Sequence, residues 1–300
     1  MLEFSQYCLI ASSILVALAM VSYVVVLAMR RTVRKPALAH AGAGGGSGAT
    51  ETPEGTRGVG AATKPTGLVW YGSRLTALAL LFVTAALVAR TVATGHGPFS
   101  NQYEFAVSFA WGMLAAYIYF EWKYQVRMLA LVVLPITEAM LLYSETADAT
   151  ASPLVPALQN NLLLTLHVIT AVIAYGAAAV ACAAGALYLI QPESGRRGLP
   201  KPALLDEIGY RAVVVSFPMM TIMIILGAIW ADIAWGTYWS WDPKETASLV
   251  TWLIYGAYLH ARVVRGWRGR RSAWLLMLGF AAVLFTYFGN LFFGGMHAYV

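Results

Sequence analysis

The sequence contains few charged residues and almost no cysteine. Only 11% of its 300 residues are Asp, Glu, Lys or Arg, whereas about a quarter is usual in soluble chains. Its two cysteines, Cys8 and Cys182, stand alone in separate apolar runs, and no CxxC pair exists. These shortages exclude an ordinary soluble domain, a dithiol redox centre and a thiolate metal cage. Both cysteines are interpreted as packing residues.

Apolar residues make up 59% of the chain and form long runs that predict an all-α polytopic membrane protein. A membrane-spanning helix needs about 20 mostly apolar residues. Eight runs are candidates, and the third and fourth of them are short: 4–29, 68–92, 105–120, 128–143, 161–190, 212–233, 246–261 and 272–294. The first run lacks a basic leader and a small-residue cleavage site, so it predicts a retained helix rather than a signal peptide.

The chain divides into three predicted parts. Residues 1–29 form an N-terminal transmembrane helix, and residues 68–300 form a seven-helix core. Between them, residues 30–67 are basic and rich in Ala, Gly, Thr and Pro. This composition offers too little apolar surface to order itself, so it predicts a flexible cytoplasmic linker.

The basic residues predict the orientation of the helices. All Lys and Arg residues except Arg74, Arg90 and Lys244 lie in four alternate connections: 30–67, 121–127, 191–211 and 262–271. Connections that carry excess positive charge face the cytoplasm. Both termini and the loop at 235–245 are therefore expected outside. The net charge of +6 then reflects membrane topology rather than binding to nucleic acid.

The loop at 235–245 carries four aromatic rings within seven positions, followed by Asp-Pro-Lys-Glu. The rings are those of Trp235, Tyr238, Trp239 and Trp241. Their flat faces suit a large planar apolar ligand with polar edges, and haem is the clearest candidate. An aromatic belt at the headgroup level is the alternative, although such a belt scatters its rings over several helix ends.

Two histidines are expected near the outer surface. His167 lies in the first turns of the fifth run, and His297 follows the last run. Imidazole is a common axial ligand of haem iron, so the two side chains could hold a haem against the aromatic loop. Two unrelated interfacial histidines remain the alternative.

His260 is expected at the opposite surface. It follows Asp242 by 18 residues, or roughly 27 Å of helix, which is close to the thickness of the hydrocarbon core. A haem bound by His260 would therefore occupy a second site, with its other ligand from a partner protein. Anchoring of the helix at the cytoplasmic interface is the alternative.

Three further basic side chains have weaker functional signals. His96 lies in a Gly/Pro-containing outer loop, where it could compete for the outer haem, but it is interpreted as a structural or substrate-contacting residue. His40 falls in the linker and is interpreted as a solvated side chain. Arg90 could pair with haem propionates, or it could be a plain interfacial arginine.

The segment from Trp235 to Glu245, continued by 252–262, closely resembles the WWD region of the CcsA/ResC family. These are cytochrome c biogenesis proteins of the pathway called System II. The resemblance extends to His167, to the Gly-His-Gly-Pro…Tyr-Glu loop at 95–104, and to Gly-Met-His297-Ala-Tyr. It covers about residues 68–300. The first helix and the long linker are the less typical part.

The resemblance implies a haem exporter and holocytochrome c synthase that works with a CcsB/ResB-like partner in the bacterial plasma membrane, rather than the thylakoid membrane. Haem b would enter at His260, whose partner ligand comes from the other protein, and reach an external site ligated by His167 and His297. There its vinyl groups would be joined to the CxxCH cysteines of apocytochrome c. Thiol-reducing proteins would act only indirectly.

We also expect roles for the loop and its surroundings. Tyr238 and Arg90 are expected to contact the haem. The expected catalytic residues are Trp235, Trp239, Trp241 and Asp242.

Three other functions compete with this one. A haem-handling protein of the CcmC/CcmF type also carries Trp-rich WWD loops, but Asp-Pro-Lys-Glu followed by His260 favours the CcsA type. A transporter could export haem without attaching it to protein. A dihaem electron-transfer protein resembling cytochrome b would need stacked histidine pairs on shared helices, which the sequence lacks.

Overall fold

The computed structural model is a bundle of α-helices. It describes residues 1–32, 67–151, 154, 156–159, 161–192, 198–289 and 292–297. Within these ranges the helices are α1 (Leu2–Thr32), α2 (Leu68–Thr94), α3 (Gln102–Tyr124), α4 (Ala130–Thr146), α5 (Asn161–Ile190), α6 (Pro202–Trp235), α7 (Pro243–Val263) and α8 (Arg270–Phe288). Short 3₁₀ turns at Arg127–Leu129 and Pro156–Gln159 precede α4 and α5. The predicted all-α class is confirmed.

Six of these helices are long and apolar enough to cross a membrane: α1, α2, α4 with its preceding turn, α5, α6 and α8. The other two, α3 and α7, are more polar but pack within the same bundle. Buried Glu104 and Glu121 lie on α3, and buried Arg262 lies on α7. The prediction of a polytopic membrane protein with about eight helices is confirmed, whereas the sidedness of its termini stays a prediction.

Two predicted helix boundaries are wrong. The last apolar run predicted a helix that ends at residue 294, but α8 ends at Phe288. The other is the start of the sixth helix. The apolar run predicted that the sixth helix begins at residue 212, but α6 begins at Pro202. Proline is favoured in the first turn of a helix because its missing N–H is not needed there. The added turns are amphipathic, with Leu205 and Ile208 buried while Glu207 forms an exposed ion pair with Arg211. Hydropathy alone does not detect such turns.

The predicted linker at 30–67 falls mainly outside the described residues. Only 30–32, which end α1, and Gly67, which precedes α2, belong to the described part of the chain. His40 lies outside it as well.

Helix α5 lies at the centre of the bundle and packs against α3, α4, α6 and α8. It contacts α3 through glycine: a Cβ at Gly176 would overlap the carbonyl of Gly112, and a Cβ at Gly112 would lie 2.6 Å from Val172 Cγ1. Small residues allow helix backbones to approach closely in this way. The contact fixes the α3 wall of the site described below.

The two ends of the bundle differ in chemistry. At one end, α3, α5 and α7 begin where α6 and α8 end, and an aromatic pocket lies between them. At the other end, Arg262 near the end of α7 pairs with Asp206 in the first turns of α6 at 2.5 Å. Asp206 also accepts a hydrogen bond from the Gly269 backbone N–H at 2.9 Å. The fold therefore separates a ligand-sized cavity from a charged, hydrogen-bonded end.

Candidate functional site

The pocket has a volume of about 1010 Å³, counted with its opening to solvent. Its walls come from α3, α5, α6, α7 and α8, from the aromatic loop, and from the segment 292–297. Most of the lining is apolar or aromatic and includes Phe105, Phe109, Val168, Ile224 and Trp230. A few polar groups converge on this apolar space, as is usual in a binding site for an organic ligand.

His167 lines the pocket from α5, and its orientation is set by α6. Its Nδ1 lies 2.8 Å from the carbonyl oxygen of Met223. A carbonyl only accepts hydrogen bonds, so Nδ1 carries the proton and donates. This leaves Nε2 as the nitrogen that can bind a ligand.

Gly227 makes room for this imidazole. A Cβ at position 227 would lie 2.7 Å from His167 Cε1 and 2.9 Å from Nδ1. Since Gly227 is one helical turn beyond Met223, the missing side chain lets the ring reach the Met223 carbonyl. Close approach, rather than backbone conformation, explains glycine here.

Replacing Gly227 by alanine is expected to destabilise the protein, although Gly→Ala inside a helix usually stabilises it by up to about 1 kcal/mol. The added methyl overpacks the contact with His167, at a typical cost of about 1–3 kcal/mol. Thermal unfolding in detergent measures the difference. Gly256→Ala on α7 is the matched control, because its Cβ would meet Phe217 at an ordinary 3.4 Å. Equal stabilisation by both variants would contradict a tight contact at Gly227.

His297 lines the pocket from the segment that follows α8. Its Nδ1 lies 2.9 Å from Oδ1 of Asp242. Its ring packs edge-on against Trp235, with a centroid distance of 4.9 Å, and lies 6.0 Å from Trp230. Because Nδ1 is engaged with a carboxylate, Nε2 is the ligand candidate in this ring as well.

Asp242 organises the loop, the start of α7 and the segment that carries His297. Its Oδ1 accepts a hydrogen bond from the Lys244 backbone N–H at 2.9 Å, in addition to that from His297. Its Oδ2 accepts from the Met296 backbone N–H at 2.7 Å. A Cβ at Gly295 would overlap Oδ2, so glycine permits this approach. The carboxylate thus joins three stretches of chain.

The charge of Asp242 is favoured despite its burial. Burial by itself raises the pKa of this carboxyl, but the hydrogen bond and charge of His297 and the backbone N–H groups of Lys244 and Met296 outweigh it. The pKa is held well below the ordinary aspartate range. Asp242 is therefore an acceptor-only carboxylate that orients the His297 ring.

Glu245 completes the capping of α7. Its Oε2 accepts hydrogen bonds from the backbone N–H groups of Ser240 and Asp242, at 2.9 and 3.2 Å. Together with the Asp242 side chain this forms a capping box, which satisfies otherwise unpaired N–H groups at a helix start. Asp-Pro-Lys-Glu is therefore a helix start that also shapes the pocket.

The four aromatic side chains of the loop occupy different positions. Tyr238 and Trp239 line the pocket. Trp235 packs against His297, as described above. Trp241 is 69% exposed and has a left-handed backbone φ of 59°. It contacts Trp239 edge-on at a centroid distance of 5.8 Å.

Three candidates from the sequence lie away from the pocket. Arg90 is buried, with Nε 2.7 Å from Glu104 and its guanidinium over the ring of Tyr103. His96 contacts the Gly97 carbonyl through Nδ1 at 2.8 Å. His260 lies on the last turns of α7 with an exposed side chain, about 27 Å along the helix from Asp242. It cannot share a ligand atom with His167 or His297.

Sequence reasoning missed several residues of the site. Gly227 and the Met223 carbonyl fix His167, but neither has a signal in a single sequence. Lys244 lies within Asp-Pro-Lys-Glu, but the sequence pattern predicts no separate role for it. Tyr287 lines the pocket with a buried hydroxyl that makes no hydrogen bond to the described residues.

A family model described as cytochrome C assembly protein matches residues 99–297. This range contains every residue that lines the pocket. A cytochrome c biogenesis protein CcsA from Guillardia theta is 38% identical over 259 residues, covering 77% of this chain and 85% of the relative. The CcsA from Gloeobacter violaceus is 36% identical over 290 residues, covering 76% and 86%.

A solved structure has a similar fold. The structure of the cytochrome c haem lyase CcmF superposes with a TM-score of 0.64 at 17% identity. The superposition covers 96% of this chain, which spans 46% of that one. At this identity the similarity concerns the fold. The predicted resemblance to CcsA proteins is confirmed by the sequence relatives, and the chain belongs to the cytochrome c assembly protein family, together with the CcsA cytochrome c biogenesis proteins.

Proposed function

We propose that the chain binds haem b between His167 and His297 and, with a CcsB/ResB-like partner, attaches it to the CxxCH motif of apocytochrome c outside the bacterial plasma membrane. The observation that carries this proposal is one pocket lined by two imidazoles, each engaged through Nδ1. This pattern makes Nε2 of each ring the ligand atom.

The residues of the pocket fit haem in chemistry. The pocket is mainly apolar with aromatic walls, as a porphyrin ring requires. Histidine is a common axial ligand of haem iron. Histidines that bind metals usually donate their other N–H to a carbonyl or carboxylate, and Met223 and Asp242 provide those two acceptors.

A haem bound here would supply two vinyl groups, and one thiol S–H of the client could add across each to give a thioether without an external oxidant. The chain's own residues would bind and orient. His167 and His297 would hold the ring, and Tyr238 and Trp239 would provide aromatic surface beside it. Trp235 and Asp242 act through His297, and exposed Trp241 is available for the client. The CxxCH cysteines provide the nucleophiles.

His260 is proposed as the ligand of a second haem, received from the cytoplasmic side. Its side chain is exposed near the end of α7. The exposed apolar side chains of Leu253, on the same face of the helix, and of Val264, just past its end, lie on the same side. An ionisable side chain facing lipid is costly, so such a residue usually has a protein partner. The CcsB/ResB-like partner is proposed to cover this face and to provide the other ligand.

Co-expression tests the function. The chain, a CcsB/ResB-like partner and an apocytochrome c are produced in a host without its own maturation system, and covalent haem is detected by haem staining of denaturing gels. Covalent haem is expected only when the chain and the partner are both present. Haem in the external pocket without any covalent product would instead support export alone.

In the same assay, His260→Ala is expected to reduce covalent haem to background because the supply of haem to the external pocket is interrupted. The purified variant should still bind added haem through His167 and His297, which absorption spectra would show. Normal maturation by this variant would contradict the relay. Loss of binding of added haem would place His260 in the external site, contrary to the proposal.

A further inference from the structure

The charged groups that line the pocket differ in whether they have partners. His297 is paired with Asp242, which lies behind it outside the pocket lining, and His167 donates to a carbonyl. Glu245 accepts hydrogen bonds from the loop backbone. Lys244 also lines the pocket, yet within the described ranges its ammonium makes no hydrogen bond or ion pair. Asp242 favours its charge through space, but among the described residues no carboxylate contacts this ammonium, which faces the ligand space.

The surroundings of Lys244 do not compensate its charge at short range. Its Nζ lies 5.3 Å from the centroid of the Phe105 ring, a favourable but weak contact. Asp242 is close in sequence, but its oxygens are already engaged by His297 and two backbone N–H groups. A partly buried ammonium without a bound anion is unfavourable, because it loses hydration and gains little in return.

Arg90 provides the contrast. Arg90 and Lys244 both lie outside the four Lys- and Arg-rich connections of the sequence, and Arg90 was the one expected to pair with a propionate. Its guanidinium is neutralised by Glu104 and stacks on Tyr103, outside the pocket lining. Glu104 is itself held by the backbone N–H of Ser100 at 2.8 Å. Among the described residues that line the pocket, Lys244 is the one lysine or arginine.

We infer that Lys244 pairs with a carboxylate on the edge of the planar ligand, which is a propionate of haem if the proposed function holds. Such a contact is a charge-assisted hydrogen bond, which is stronger than one between neutral groups. It would fix one edge of the ring beside α7. Because the vinyl groups lie on other edges of the ring, Lys244 would set where they stand relative to the loop. It is a positioning and specificity residue, not an axial ligand.

The test compares two rings that differ only in their carboxylates. Full-length chain carrying His260→Ala, so that only the external pocket contributes, is titrated in detergent with iron protoporphyrin IX and with its dimethyl ester. The absorption spectrum reports binding through both histidines. The protein with Lys244 is expected to prefer the diacid by about 10- to 100-fold, the range for a hydrogen bond between charged groups.

Lys244→Met is expected to remove this preference while leaving the affinity for the ester unchanged. Lys244→Arg should restore most of it. Lys123→Met is the matched control, because Lys123 is an exposed lysine outside the pocket and should not alter either affinity.

The outcomes separate this inference from the proposed function. An unchanged preference in Lys244→Met would overturn the inference while the histidine-dependent spectrum still supported haem binding. If Lys244→Met bound neither porphyrin, Lys244 would have a role in folding, and the inference would also be overturned. If neither porphyrin gave an absorption spectrum that depends on His167 and His297, the proposed function itself would be overturned.

Discussion

Alanine at His167 or at His297 is expected to abolish covalent attachment of haem to a co-expressed apocytochrome c. Each substitution removes one of the two proposed axial ligands while leaving the aromatic walls in place. A ring held from one side can tilt within a pocket of this size, so its vinyl groups would no longer meet the client thiols reproducibly. The measurement is haem staining of the cytochrome, with membrane levels of the variant determined in parallel.

His96→Ala is the matched control. It also removes a histidine near the same end of the bundle, but His96 contacts a neighbouring carbonyl and does not line the pocket. Its cytochrome should mature as in the unmodified protein. Added imidazole should partly restore maturation by either pocket variant, since it can occupy the vacated position. If both pocket variants matured cytochrome normally without imidazole, the ligand assignment would be wrong.

Asp242→Ala is expected to produce the second largest loss. It removes the acceptor that orients His297, and loss of a group supporting a metal ligand typically costs about 10- to 100-fold in affinity. It also removes the N-cap of α7, at about 0.5–2 kcal/mol of stability. The backbone N–H groups of Met296 and Lys244 would lose their acceptor too.

Asp242→Asn separates these contributions. Asparagine is as good an N-cap as aspartate, so the cap of α7 should be kept and the protein should lose less stability than the alanine variant does. The side-chain oxygen can still accept from His297, but the negative charge is gone, so haem affinity should lie between those of the alanine variant and the unmodified protein. Haem titration followed by absorption, together with thermal unfolding, checks both parts. Asp148→Ala, on an exposed loop, should change neither. Equal haem affinity in all four proteins would exclude an orienting role for Asp242.

Because the pKa of Asp242 is lowered, the difference in stability between the unmodified protein and Asp242→Asn should depend on pH in a defined way. A carboxyl whose folded-state pKa is lowered contributes stability that is fully present above its ordinary pKa and is lost as the pH falls through the lowered value. The stability difference between the Asp242 protein and Asp242→Asn should therefore be constant at neutral and weakly acidic pH. It should shrink only in strong acid.

The helices could be predicted because lipid imposes a simple condition on sequence. Long apolar runs are needed wherever a helix contacts hydrocarbon, so α1, α2 and α5 were located closely, whereas α8 ends before its apolar run does. The start of α6 was misplaced because its first turns pack against protein and carry charge on the other face. Counting residues along helices also anticipated that His167 and His297 share a site and that His260 does not.

The pairing of charges could not be predicted in the same way. Arg90 and Lys244 look alike in the sequence, since each is a single cation near a helix end and outside the four basic connections. Which one is neutralised depends on Glu104 of α3 meeting α2, a tertiary contact that leaves no periodic signal. Likewise, the fit of His167 against Gly227 depends on how α5 and α6 cross.

The segment 292–297 forms part of the pocket wall, so its position bears on how a product would leave the pocket. If the proposed function holds, the ligand leaves joined to a polypeptide and cannot pass between tightly packed helices, so one wall of its site would have to open. Residues 292–296 are all exposed, and hydrogen bonds to Asp242 hold the segment at Met296 and His297. Moving this segment would break those hydrogen bonds and the contacts of the His297 ring with Trp230 and Trp235. The carboxylate that orients His297 would then also decide how easily the product leaves.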